Sequence, residues 1–252
     1  MEALTYAIEA QVEATHWWFV ARRKLLADLI VRYRVPADAG VLDIGTGTGT
    51  NLRLLRELGF ANRRGIDTSE EAIRWCAEKG LGKVQQGDIS ALPFGDGQFG
   101  LVLATDVIEH VDDDLRAMAE VRRVLAPGGV AIVTVPAFQS LWGLQDEVAR
   151  HKRRYRLKSL RQLLQDSGLA CVESFYFNYL LLVPIWVARQ LIRRAGLKLH
   201  SENQLNTPLL NRLLTWIFLA DVATAGVIHP PAGVSIAAVA RHGTASGHVP
   251  GH

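Results

Sequence analysis

Residues 40–49 read Gly40-Val41-Leu42-Asp43-Ile44-Gly45-Thr46-Gly47-Thr48-Gly49, and an apolar-periodic run from Leu52 to Leu58 follows. Val41 to Ile44 has the character of a buried strand, the alternate glycines make a turn, and the periodic run starts a helix. Glycines allow positive φ and let a ligand lie directly on the backbone, with N–H groups directed outward at the helix start. That order is a nucleotide-type binding loop. A dinucleotide loop wants Gly or Ala five places after its first glycine, and counting from Gly45 that place holds Thr50. Asp43 would repel a pyrophosphate and attract an ammonium group. An NAD-dependent oxidoreductase is therefore disfavoured, and a ligand cationic at that end is expected.

The chain continues in the same α/β rhythm. Arg64-Gly65-Ile66-Asp67 reads as a second strand ending in a carboxylate that can accept ribose hydroxyls, with Thr68 or Ser69 capping the next helix. Val84-Gln85-Gln86-Gly87-Asp88-Ile89 makes a third strand and its exit, followed by Leu92-Pro93-Phe94. Phe99 to Ala104 is a fourth strand, apolar enough to be covered on both faces, and it runs into Thr105-Asp106-Val107-Ile108-Glu109-His110-Val111. Ala126-Pro127-Gly128-Gly129 turns into a fifth strand, Val130 to Val135. A helix over 157–167 precedes a sixth strand from Ala170 to Tyr176, and Val234 to Ala240 closes the sheet.

Together these motifs resemble the class I S-adenosylmethionine-dependent methyltransferases, over roughly residues 16 to 241. The resemblance implies a doubly wound, seven-stranded, mostly parallel α/β sheet whose last strand lies antiparallel between the fifth and sixth. It implies S-adenosylmethionine as cofactor and S-adenosylhomocysteine as product. By the family's pattern Asp43, Gly45, Thr46, Gly47 and Gly49 form the cofactor loop, and Asp67 and Thr68 stand at the ribose. Asp88 and Ile89 would meet the adenine, and Thr105 and Asp106 the amino-acid part. His16-Trp17-Trp18-Phe19 with Arg22-Arg23 is similar to an N-terminal segment of a bacterial subset in which the preceding helices cover the cofactor. Neighbouring tryptophans differ by about 100° around a helix, so one packs on the core while the other faces the cleft. Trp17 is expected at the cofactor, where an aromatic face suits a sulfonium, and Trp18 and Arg22 at the acceptor.

Glu109 and His110 resemble the Glu-His-Val of the family's small-molecule branch, and imidazole titrates near neutrality. Glu109, His110, His151 and Tyr155 are the candidate catalytic residues. Phe138, Trp142 and Arg154 join Trp18 and Arg22 as candidate acceptor contacts, because in related enzymes the loop after the fifth strand borders the acceptor, and Tyr176 at the end of the sixth strand and Tyr179 at the start of the insertion are added to them. The Asn/Asp-Pro-Pro-aromatic motif of nucleobase amino methyltransferases does not occur at the fourth strand's end.

The 252 residues suffice for one well-buried α/β domain with a decorated acceptor region. Residues 1–35 are expected to form an N-terminal helical cap, 36–178 with 233–242 the cofactor-binding core, 179–232 an apolar helical insertion and 243–252 a disordered tail. Hydrophobic content of 49% and mean hydropathy of +0.11 leave apolar surface to be covered by a partner or a membrane. The insertion's two apolar stretches are broken by Pro184 and Arg189 and by Asn211, Arg212 and Asp221, so neither reads as a membrane span. Lying on a bilayer, closing over a greasy acceptor and forming a homodimer stay open for it.

Cys76 and Cys171 lack metal-type spacing, which argues for a reducing cytoplasm and no metal site. The N-terminus does not read as a secretory signal, so a cytoplasmic protein, or one peripheral on the inner membrane face, is expected. Net charge is +3, with Arg150, Lys152, Arg153, Arg154, Arg156, Lys158 and Arg161 crowded together. The expected activity is methyl transfer to oxygen or carbon of a small or prenyl-like, lipid-like anionic acceptor. An RNA methyltransferase would use the basic run on phosphates, though no RNA-binding module accompanies it; a non-catalytic cofactor-binding module is the third alternative.

Overall fold

The computed structural model describes residues 3–195 and 207–242. Strands β1 (Val41–Ile44), β2 (Arg63–Asp67), β3 (Lys83–Gln86), β4 (Phe99–Thr105), β5 (Leu125–Pro136), β6 (Leu169–Phe177) and β7 (Ser235–His242) form a sheet of order β3-β2-β1-β4-β5-β7-β6. Strands β1 to β5 pair in parallel, and β7 lies antiparallel between β5 and β6, the expected architecture. The helices are α1 (Ala3–Val12), α2 (Trp17–Arg32), α3 (Thr50–Glu57), α4 (Glu70–Glu78), α5 (Asp114–Val124), α6 (Leu144–Val148), α7 (Leu157–Asp166), α8 (Leu182–Ala195) and α9 (Pro208–Ile228).

Alternation along the strands sorts the core into two layers. Val102, Ala104, Ala131, Val133, Ile236 and Ala238 pack with Met118 and Val121 of α5 and Leu160 and Leu164 of α7. Leu101, Leu103, Val130, Ile132, Ala237 and Val239 pack on the other side with Leu26 and Leu29 of α2, Leu52 and Leu55 of α3, and Phe218 and Val222 of α9. Helix α2 is therefore itself a layer of the core, sharing its buried side with α9. β5 starts earlier than the expected Val130, because Ala126 to Gly129 run inside the strand as a bulge opposite Phe99 and Leu101, with Gly128 at φ +77°.

Between β6 and β7 the insertion folds as α8 and α9. Helix α9 buries Phe218, Asp221, Val222 and Ala225 and exposes Leu209, Leu213, Trp216 and Val227; α8 exposes Val183, Trp186, Val187 and Leu191. By length and composition α9 could cross a membrane, yet it packs along α2. Fully buried Asp221 accepts the N–H groups of Asn178 (2.6 Å) and Leu180 (2.8 Å), which gives a polar residue in that apolar helix its purpose. The tail expected to be disordered lies outside the described residues.

Candidate active site

Three positive-φ glycines shape the turn after β1: Gly45 (+69°), Gly47 (+51°) and Gly49 (+89°). A Cβ on Gly45 would sit 2.6 Å from Val107 Cγ2, and one on Gly49 would collide with Leu81, whereas one on Gly47 would meet open space. The first and third glycines serve close packing, and the second leaves a bare surface for a ligand. The loop's N–H groups are not the outward row the sequence suggests. Gly45 and Thr46 donate to Ile66 O, Gly49 donates to Thr46 O, and Gly47 donates to Asp67 Oδ2 at 2.9 Å. Asp67 Oδ1 accepts from Ser69 N, so this carboxylate ties the end of β2 to the glycine turn.

Asp43 is fully buried behind the loop, its Oδ1 accepting from Asn51 Nδ2 at 3.0 Å, while the same amide donates to Thr105 Oγ1 at 2.9 Å. Asp43 Oδ2 and Thr46 Oγ1 are buried without a partner, the condition of a site that donors from a ligand would complete. Burial pushes the Asp43 carboxyl up to about 7, with the Asp67 charge adding and the Asn51 hydrogen bond opposing. Just beyond α1, Glu13 reaches over the turn and accepts from Thr48 Oγ1, from Thr50 Oγ1 (2.8 Å) and from Lys79 Nζ (2.9 Å).

A cavity of about 300 Å³ opens above Gly45 to Thr48, roofed by residues 16–23 and reaching the ends of β4 and β5. His16 caps α2 by accepting Trp18 N–H on Nδ1 (3.3 Å), and burial brings its imidazole down to about 4. Trp17 packs edge-on against Trp18 and Phe218, and Trp18 stacks on Phe177 and Phe218. Both indoles nonetheless reach the cavity wall, so the helical offset separates their packing without separating their access. Arg22 lies over the Trp18 ring (5.7 Å) and pairs with Asp106 at 3.1 Å, and Asp106 itself holds a left-handed φ of +54°.

At the cavity's polar end stand Glu109, His110 and His151. Glu109 is fully buried, and burial, with the Asp106 charge adding, holds its carboxyl well above the usual range. His110 and His151 meet edge to face at 4.7 Å; burial, reinforced by His151, brings His110 down to about 4. His151 Nδ1 lies 2.8 Å from Asp146 Oδ1. Buried Asp146 also accepts two hydrogen bonds from Arg154 (2.8 Å each) and one from Gly143 N (2.7 Å). Burial opposes ionisation of Asp146, but the His151 and Arg154 hydrogen bonds outweigh it and hold the carboxyl well below its ordinary range.

Of the other residues singled out in sequence, Thr105, Asp106 and Arg154 line the cavity, whereas Asp43, Asp67 and Gly49 support the loop behind it. Thr68 and Asp88 are exposed, Asp88 accepting from Ser90 N, and Ile89 is core. Buried Tyr155 donates to Asp114, and Phe138 stacks on Tyr176 at 5.0 Å, away from the cavity. Tyr179 hydrogen-bonds Thr224, and neither it nor Trp142 lines the cavity. Sequence reasoning missed Glu13, Asn51, Lys79 and the role of Asp146. The legible signal for Asp146 was an acid five positions ahead of a histidine.

Residues 42–133 match the family described as a methyltransferase domain. The chain is 31% identical over 144 residues to norajmaline N-methyltransferase of Rauvolfia serpentina, covering 53% of this chain and 47% of that protein. It is 32% identical over 137 residues to demethylmenaquinone methyltransferase of Staphylococcus aureus, covering 50% and 55%. A rice tocopherol O-methyltransferase matches at 32% over 133 residues, covering 48% and 37%. The matched part thus spans about half or less of these relatives' lengths. Among solved structures, the methyltransferase in complex with the Haloferax volcanii Trm112 activator superposes with a TM-score of 0.63 at 19% identity, covering 96% of this chain and 95% of that one. The [4+2]-cyclase SpnF superposes with a TM-score of 0.58 at 21% identity, covering 87% and 80%. Likeness at that identity shows the fold alone, and a cyclase among the neighbours illustrates why. Family match and sheet topology agree: residues 42–133 match a methyltransferase domain, and the sheet around them has the class I methyltransferase fold.

Proposed function

We propose that this protein transfers a methyl group from S-adenosylmethionine to oxygen or carbon of a small or lipid-like acceptor. The observation that carries it is a shared cavity: the bare Cα of Gly47 and the ionisable cluster Glu109, His110 and His151 face one space walled by indoles. When bound, the cofactor supplies a methyl group already activated by its sulfonium, which leaves the protein to align the acceptor and exclude water. Asp67 and the glycine turn would hold the adenosyl part, and the Asp43–Asn51–Thr105 chain would favour its ammonium group. Residues 16–23 close the roof. Relatives named for tocopherol, demethylmenaquinone and a phytyl hydroquinone support an apolar acceptor. An RNA acceptor lacks comparable support, because four of the seven residues in the basic run are engaged within the chain: Lys152 with Asp112, Arg153 with Asp114, Arg154 with Asp146, and Arg161 with Ser174. An acceptor anion would instead meet Arg22 on the cavity wall, in competition with its partner Asp106. Isothermal titration should show binding of S-adenosylmethionine and S-adenosylhomocysteine, and absence of both would refute the assignment. In an assay of S-adenosylhomocysteine release, prenyl phosphates should outperform neutral phenols; the reverse order would remove the anionic group from the acceptor.

Asp43 adds a pH dependence whose sign is fixed. Its folded value near 7 lies above the ordinary carboxylate value of about 3.9, so the folded protein holds a proton there in mild acid. Stability from this group is full below about 3.9 and fades as pH rises through about 7. A cationic ligand favours the ionised form, so S-adenosylhomocysteine should bind more tightly as pH climbs from 6 to 8. Titration at pH 6 in buffers of different ionisation enthalpy should reveal proton release that Asp43→Asn abolishes. Equal proton release in that variant would move the effect to another group.

A further inference from the structure

Glu109 presents an unusual balance of charge and hydrogen bonding. It is 0% exposed, and neither Oε1 nor Oε2 has a hydrogen-bond partner. A buried carboxyl group with both oxygens unmet is costly and calls for a donor or a cation. Its neighbours supply ligands: His151 Nε2 is 3.9 Å from Glu109 Oε1, and one ligand atom each from Glu109, His110 and His151 lies within 4.8 Å of the others. Bonds of about 2.05 Å in a tetrahedral shell place ligand atoms about 3.3 Å apart, so small side-chain adjustments would close the set.

The surroundings orient this cluster. Asp146 holds His151 Nδ1, which turns Nε2 toward Glu109, and Arg154 and Gly143 hold Asp146 in turn. A carboxylate or carbonyl on the far nitrogen is the usual support of a metal-ligating histidine. The three groups come from the turn after β4 and from the segment between α6 and α7, elements distant in sequence, and the cysteine spacing on which no metal site was expected does not bear on them.

We infer that Glu109, His110 and His151 bind one divalent transition-metal ion whose remaining coordination positions open into the cavity. Two imidazoles and one carboxylate without thiolate suit Zn²⁺, Co²⁺ or Mn²⁺, and a three-ligand shell leaves room for an acceptor oxygen. The ion's role rests on the methyltransferase reading; its binding does not. Coordination would lower the pKa of an acceptor hydroxyl so that its proton passes to solvent water. The oxygen then forms the new bond to the methyl carbon as the sulfur–methyl bond breaks, its electron pair returning to sulfur and leaving neutral S-adenosylhomocysteine.

The test is a Co²⁺ titration of chelator-treated protein, followed by visible absorption and calorimetry, with S-adenosylhomocysteine binding measured alongside. One equivalent should bind and develop ligand-field bands. Glu109→Gln and His151→Ala should each weaken Co²⁺ at least tenfold, while the Glu109→Gln variant keeps its thermal midpoint and its S-adenosylhomocysteine affinity. No saturable binding, or equal Co²⁺ affinity in wild type and both variants, overturns the site. Cofactor binding without Co²⁺ binding would reject the ion and leave the methyltransferase reading standing. Co²⁺ binding without cofactor binding would do the opposite.

Discussion

Gly47→Ala is expected to weaken S-adenosylhomocysteine binding roughly a hundredfold, about 2.8 kcal/mol, while Gly59→Ala leaves it unchanged. Both glycines have positive φ, +51° and +88°, and a Cβ on either meets nothing within 4 Å. The conformational penalty of an L-residue there, about 1–2 kcal/mol, is therefore common to the two variants. Only at Gly47 does the new methyl group project onto the cavity side of the cofactor turn. Parallel calorimetric titrations and thermal melts separate the two quantities. Equal affinity in both variants would mean that the ligand does not rest on this surface.

Asp146→Ala is expected to cost about 3–5 kcal/mol of stability, because it removes the countercharge of the Arg154 guanidinium, 4% exposed and left with the Ala137 carbonyl, and leaves the donors of Gly143 and His151 unmet. For a domain of this size that is a fall of roughly 10 °C in the melting midpoint. The double variant Asp146→Leu with Arg154→Met should regain part of the loss, since it removes charge and countercharge together. Activity should not return with it, because His151 would lose the Asp146 hydrogen bond that fixes its ring. Since its hydrogen bonds depress the Asp146 carboxyl below its ordinary value, this stabilisation is present in full above about pH 3.9 and is lost in stronger acid. A loss under about 1 kcal/mol on chemical denaturation would contradict the account.

The sheet was legible because its signals are local. Val41 to Ile44 and Phe99 to Ala104 are apolar runs closed by glycine or acid, and each turn carries its own chemistry, so period and punctuation suffice. Even the return of β7 between β5 and β6 followed from the family pattern. The polar end of the cavity was less legible. His151 and Glu109 could be named as residue types, but what orients them is Asp146, an acid that looks like any helix N-terminal carboxylate until the fold buries it against Arg154. Glu13 was invisible for a related reason: its partners Thr48 and Lys79 belong to other elements, and no spacing rule joins them. The region after β5 does reach the cavity through His151 and Arg154, but Tyr155 and Phe138 do not line it, because an aromatic in such a loop serves packing as readily as recognition. Their contacts, Asp114 and Tyr176, lie on elements that sequence alone does not bring near.

Asn211 near the start of α9 accepts the Trp17 N–H at 2.9 Å and donates to Thr15 O at 2.8 Å, bridging the insertion to the segment that roofs the cavity. Two stretches from opposite ends of the chain therefore behave as one interchangeable part. A chimera that borrows the acceptor preference of another methyltransferase would have to exchange residues 3–32 and 182–228 together, because grafting either alone severs the bridge that registers the tryptophans over the glycine turn.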